Sequence, residues 1–118
     1  MENIKLEYKT KKIQNQCQDL KNARKKFGAR IAEKLLALVN VLEAAENLQD
    51  INSLQVYHVH QLDGNRKNEL ALDIDGRKSQ YRLIIRPLNQ SDTAGDDVIR
   101  YYRGIEIISI EEVSKHYE

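Results

Sequence analysis

The spacing of hydrophobic positions changes period along the chain. Ile4, Leu6 and Tyr8 alternate with Lys5 and Glu7, a period of two that predicts a short strand. From Thr10 the period lengthens. Ile13, Cys17, Leu20, Arg24 and Phe27 recur at spacings of three and four, a helical stripe that is apolar except for Arg24. Thr10 is placed to cap this helix, and Lys11, Lys12, Lys21, Lys25 and Lys26 make its other face strongly basic. Gly28 supplies a break, because glycine accepts the left-handed conformation at a helix end. Ile31, Leu35, Leu38, Leu42 and Ala45 then form a second stripe, widened by Val39 and Val41. So short an interruption predicts an antiparallel helical hairpin, with Asn52-Ser53 as the exit loop.

The C-terminal half returns to a period of two. Val56 to Leu62 is predicted as a strand, followed by a turn at Asp63-Gly64-Asn65. Leu70, Leu72 and Ile74 alternate with Ala71 and Asp73, and Asp75-Gly76 is a hairpin-turn signal. Tyr81 to Leu88 forms the next strand, ended by Pro87 and the polar stretch Asn89 to Asp97. Ile105, Ile107 and Ile110 mark a last strand, and Glu111 to Glu118 is left as a short helix or coil. The expected fold is α+β: an N-terminal strand and a helical hairpin packed on one face of a small antiparallel sheet of about four strands. A chain of 118 residues is the size of one such domain, spanning residues 1–118.

Charge sharpens this picture. The formal net charge is only +1, but residues 1–31 hold nine Lys/Arg against three Asp/Glu, while residues 87–118 hold three against seven. One face can therefore meet a polyanion while another stays acidic. No apolar run reaches the ~18–20 residues of a membrane helix. The opening Met1-Glu2-Asn3-Ile4-Lys5 lacks the layout of a signal peptide, and the single cysteine, Cys17, cannot close an internal disulfide. A cytoplasmic setting is expected. Cys17 lies on the apolar helix stripe and is expected to be packed rather than reactive.

Candidate chemistry concentrates on the sheet. Arg66, Lys67, Arg77, Lys78, Arg82 and Arg86 fall within about twenty residues, on strands or at their turns. Arg82, Ile84 and Arg86 share one strand face, opposite Tyr81, Leu83 and Ile85. Several guanidinium groups on one face can clamp phosphate through paired donors. The same charges on an exposed sheet can also simply discourage edge pairing. His58 and His60 share a strand face, but two imidazoles alone make no metal site, and neither a glycine-rich phosphate loop nor a dinucleotide fingerprint is present. No metal and no cofactor are expected. His116 and Tyr117 are capable of proton transfer and of stacking on a base, respectively.

These stretches, in order, resemble the RelE/ParE superfamily of toxins from bacterial type II toxin–antitoxin systems, and most closely its HigB-type (plasmid maintenance killer) branch. The likeness is carried by His60 to Lys67, Leu70 to Ile74, Gly76-Arg77, Tyr81 to Ile85 and the closing Ile107 to Tyr117. It implies a ribosome-dependent endoribonuclease that cleaves messenger RNA and inhibits translation, without cofactor. Carried over by position, Arg82 is the phosphate-stabilising cation, assisted by Arg77 or Lys78. His116 and Tyr117 transfer protons or stack on a base, and His60, Arg66, Lys67 and Arg86 hold RNA. Replacing Arg82 by alanine is then expected to relieve toxicity without unfolding the chain. The implied partners are a helix-turn-helix, HigA-like antitoxin in a hetero-oligomer, the ribosome and messenger RNA. Three features depart from the family pattern: Asp73 stands where many relatives carry a basic residue, the Gly76 to Gln80 segment is longer than the usual turn, and the polar stretch Asn89 to Gly104 is also long. They leave open a ParE-like toxin that inhibits gyrase without nuclease activity, and a non-toxic, protein-binding accessory domain.

Overall fold

The computed structural model describes residues 2–66, 68–90 and 97–115. Strand β1 (Lys5–Tyr8) leads into helix α1 (Lys11–Gln18), whose first turn is capped as its sequence predicts: Thr10 Oγ1 accepts from the Ile13 amide at 3.1 Å. The basic helix is not continuous. Asp19 takes an extended conformation (φ −118°, ψ 108°), and its carboxylate accepts from the amides of Lys21 and Asn22, starting helix α2 (Leu20–Phe27) afresh. The break rotates the second segment. Ala23, fully buried, replaces Arg24 on the inner side, and Arg24 turns outward to lie 3.8 Å from Glu33. Lys11, Lys12, Lys21, Lys25 and Lys26 are all exposed.

Gly28 separates α2 from helix α3 (Ala29–Ala44) at φ +87° and ψ 163°, a region open essentially to glycine alone. The long stripe of α3 buries Leu35, Leu38, Val39 and Leu42. Each such side chain removed from water contributes roughly 1.5–3 kcal/mol. A short helix α4 (Leu48–Asn52), capped by the Asn47 side chain, adds Leu48 and Ile51 to the same core.

The sheet has five strands rather than about four. Its order is β1–β5–β4–β3–β2, with β2 (His60–Gln61), β3 (Leu70–Asp73), β4 (Tyr81–Pro87) and β5 (Ile107–Lys115). The pairs β2–β3, β3–β4 and β4–β5 are antiparallel, whereas β1 joins the β5 edge in parallel, so the sheet is mixed. The predicted strand from Val56 shrinks to His60-Gln61, because residues Gln55–Tyr57 form a 3₁₀ turn. The β3–β4 connection is a seven-residue loop, 74–80, rather than a two-residue hairpin turn. Asp75 leaves the turn to make a two-pronged ion pair with Arg30 at the start of α3 (2.6 and 3.2 Å). A helix α5 (Val98–Arg103), capped by Asp97, occupies the region after the polar stretch and buries Tyr102. Residues Glu111–Lys115, read from sequence as helix or coil, instead extend β5 along the whole of β4. A bulge at Ile84/Ile85 keeps Ile108, Ile110 and Val113 on the helix side of β5 despite the irregular spacing of its sequence.

Candidate active site

Residues facing each other across strands point to the same side of a sheet. The helix-covered side receives Leu70, Leu72, Leu83, Ile85, Ile108 and Ile110. The register therefore places two polar rows on the other side. One runs His60–Ala71–Ile84–Glu112, and the next runs Asp73–Arg82–Ser114. The β2–β3 loop rises at the edge of these rows. Together they enclose a groove of about 390 Å³ lined by His60, Gln61, Asp63, Arg66, Arg82 and Ser114 among others.

The arginines here are charge-compensated one by one. Arg82 is mostly buried and lies with Nε 3.0 Å from Oδ1 of Asp73, a carboxylate with no exposure at all. Its other nitrogens donate to main-chain oxygens of the β3–β4 loop, Ser79 at 2.6 Å and Arg77 at 3.1 Å, and of Tyr81 at the start of β4, at 2.9 Å. Neither oxygen of Asp73 receives a hydrogen bond of good geometry, so the ion pair with Arg82 is its compensation. Arg66 bridges Glu69 (2.6 Å) and Glu112 (2.5 Å), which raise its pKa above the ordinary guanidinium value. Arg86 pairs with the buried Glu111 at 3.2 Å, and the second oxygen of that carboxylate accepts from Ser109 Oγ at 2.6 Å. Arg77 and Lys78 differ. Both are exposed at the loop, and neither has a carboxylate partner among the described residues.

Two histidines join the loop to the groove. His58 adopts φ +43°, the one positive φ of a non-glycine residue among those described. Its amide donates to the Gln55 carbonyl at 3.1 Å, and its own carbonyl lies 2.8 Å from His60 Nδ1. A carbonyl only accepts, so His60 Nδ1 carries hydrogen, and in the neutral ring Nε2 keeps its lone pair. The two imidazoles touch, with centroids 4.6 Å apart and planes tilted by 33°. Burial lowers the pKa of His58 below its ordinary value, and the neighbouring His60 and Arg77 lower it further. His58 faces a second hollow, with Asn52, Gln55, Val59 and Arg77.

The predicted site residues thus divide into groups. His60, Arg66 and Arg82 line the groove together. Arg77 and Lys78 sit on the adjoining loop, with Arg77 beside His58, and Arg86 lies farther along β4. Lys67, His116 and Tyr117 lie outside the described residues. Sequence reasoning overlooked Asp73 as the counter-ion of Arg82. Strand alternation puts both on one face, but their pairing depends on the β3–β4 register, which a seven-residue loop does not announce. It likewise overlooked His58 as the holder of the His60 ring, a contact produced by a left-handed residue just before the strand. Among the described residues no three His, Cys, Asp or Glu side chains come together as metal ligands, and no helix is long and apolar enough to cross a membrane.

The profile described as "RelE-like toxin of type II toxin-antitoxin system HigB" matches residues 6–96, and the chain belongs to this HigB-like toxin family. It is accordingly a toxin of a type II toxin–antitoxin system, a class that implies an antitoxin partner. No curated protein matches the chain. Among solved structures it is similar to a crystal structure of a YafQ mutant from E. coli, with 19% sequence identity over 96% of this chain and 93% of that one and a TM-score of 0.49.

Proposed function

We propose that this toxin is a ribosome-dependent endoribonuclease that cleaves messenger RNA and so stops translation. The observation that carries the reading is the His60 imidazole, fixed in one tautomer by the His58 carbonyl and opening on a groove with Arg66 and Arg82. In this chemistry the 2′-hydroxyl of one nucleotide attacks the adjacent phosphorus. His60 Nε2 takes the hydroxyl proton as the P–O bond forms. The bond from phosphorus to the 5′-oxygen then breaks, leaving a 2′,3′-cyclic phosphate on one fragment and, once protonated, a 5′-hydroxyl on the other. Family resemblance assigns that protonation to His116 or Tyr117.

Cations must stabilise the extra negative charge on the phosphoryl oxygens. Arg77 is best suited to this, because no carboxylate among the described residues draws on its charge. Lys78 on the same loop assists. Arg82 acts chiefly as a positioning residue: its bonds to the carbonyls of Arg77, Ser79 and Tyr81 brace the loop that carries Arg77 and Lys78, leaving one N–H for phosphate. Arg66, Lys67 and Arg86 are assigned to RNA backbone, and the exposed lysines of α1 and α2 to ribosomal RNA or an acidic antitoxin. A HigA-like helix-turn-helix antitoxin completes the module in a cytoplasmic hetero-oligomer.

Primer extension on translated messages after brief induction tests the reading. New 5′-ends should appear within coding regions, and His60→Ala or Arg77→Ala should reduce them at least about tenfold. Growth arrest with intact messages would overturn it, and trapped DNA–gyrase complexes in those cells would put the ParE-like activity in its place.

A further inference from the structure

Of the residues lining the hollow beside His58, only Arg77 takes part directly in the chemistry above. The hollow has a volume of about 390 Å³ and presents an imidazole, two carboxamides and a guanidinium around the aliphatic Val59. That volume is within the range of ~300–1,000 Å³ typical of small-ligand sites. The Asn52 Nδ2 donates to Gln49 Oε1 at 3.0 Å, leaving its carbonyl oxygen and a second N–H for another group. Gln55 is exposed at the rim. Arg77, which has no carboxylate partner among the described residues, completes the lining.

The backbone here is strained in a directed way. A left-handed conformation is disfavoured for a residue with a Cβ, and His58 is held in it by the Gln55 carbonyl on one side and the His60 ring on the other. The effect is to stand one imidazole in each hollow with the two rings in contact. A phosphodiester crossing this imidazole pair would carry one nucleoside on each side of it. Single-stranded RNA is read by this set of groups: a flat ring for stacking, carboxamides for the base edge and a guanidinium for the phosphate.

We propose that the hollow of Asn52, Gln55, His58 and Arg77 holds one nucleobase next to the cut phosphate, with Asn52 and Gln55 reading its edge, and so sets part of the cleavage preference. The assignment rests on the endoribonuclease reading. The test uses the full-length toxin on ribosomes programmed with messages that differ in the codon presented. Wild-type toxin should favour a subset of codons. Asn52→Ala and Gln55→Ala should each reduce the discrimination between bases at one codon position by about tenfold, as expected when a carboxamide–base contact is lost. Cutting of the best codon should fall much less. Gln55 is exposed, so its replacement leaves the fold intact, and thermal melting of both variants verifies this.

If wild-type toxin cuts and both folded variants keep its codon profile, the nucleobase assignment is overturned while the nuclease reading stands. If wild-type toxin cuts nothing, the nuclease reading fails and takes the assignment with it. An unchanged codon profile accompanied by weaker antitoxin binding would also overturn the assignment and make the hollow an antitoxin contact.

Discussion

Arg82→Ala is a test of the fold before it is a test of catalysis. The substitution leaves the Asp73 carboxylate with zero exposure and without the cation 3.0 Å away. Removing one partner of a buried ion pair costs about 3–5 kcal/mol. The carbonyls of Arg77, Ser79 and Tyr81 lose their donor as well, although solvent can reach part of this segment and offset the loss. A domain of this size has a total stability of roughly 5–15 kcal/mol, so the variant forfeits a large fraction of it. In melting temperature the loss corresponds to a drop of about 10–20 °C. The assay is urea denaturation of purified full-length toxin as a double-mutant cycle with Asp73→Ala. Removing the orphaned carboxylate from the Arg82→Ala background should recover about 2 kcal/mol, because a missing charge is less costly than an uncompensated buried one. An Arg82→Ala loss below about 1 kcal/mol, or no recovery in the double variant, would refute the counter-ion role. The expectation from sequence, that Arg82→Ala relieves toxicity without unfolding, is replaced by one in which lost toxicity and lost stability go together. Arg77→Ala, at an exposed residue with no carboxylate partner among the described residues, is the cleaner probe of phosphate stabilisation.

Further predictions concern two other titratable groups. Cys17 is 1% exposed, and burial pushes its thiol pKa up to about 12, so a thiol reagent at pH 8 should label it only in denaturant. Stoichiometric labelling of the native protein within minutes would show that the α1 packing is wrong. The lowered pKa of His58 means that the unfolded chain binds more protons than the folded one below the ordinary value of 6.5. This contribution is fully present above that pH and is lost as pH falls through the folded pKa. Melting temperature should therefore decline from pH 7.5 toward pH 5.5, and His58→Gln should flatten that decline. An identical pH slope in the variant would remove His58 as its source.

The local half of this fold was legible in the order of residues. Thr10, Gly28 and the Leu35–Leu38–Leu42 stripe act through neighbours within a turn or two, and their spacing settles what they form. Strand alternation likewise put Arg82 and Arg86 on one face, opposite the core side chains of β4. The HigB-type resemblance likewise lies in short stretches of sequence, from His60 to Lys67 and from Tyr81 to Ile85 among them. Asp19 shows the limit of periodicity: a single carboxylate accepting two amides restarts the helix and exchanges Arg24 for Ala23 at the core. What the tertiary structure decided is non-local. The parallel joining of β1 to β5, the run of β5 through Glu111–Lys115 and the Asp73↔Arg82 register all depend on partners far away in the chain. The basic cluster itself changed meaning for that reason. Counted along the chain it is a row of cations; folded, Arg66, Arg82 and Arg86 are each matched to a carboxylate from another segment. Among the described members of the cluster, Arg77 and Lys78 have no carboxylate partner, and Arg77 lies beside the histidine pair that a single left-handed residue brings together.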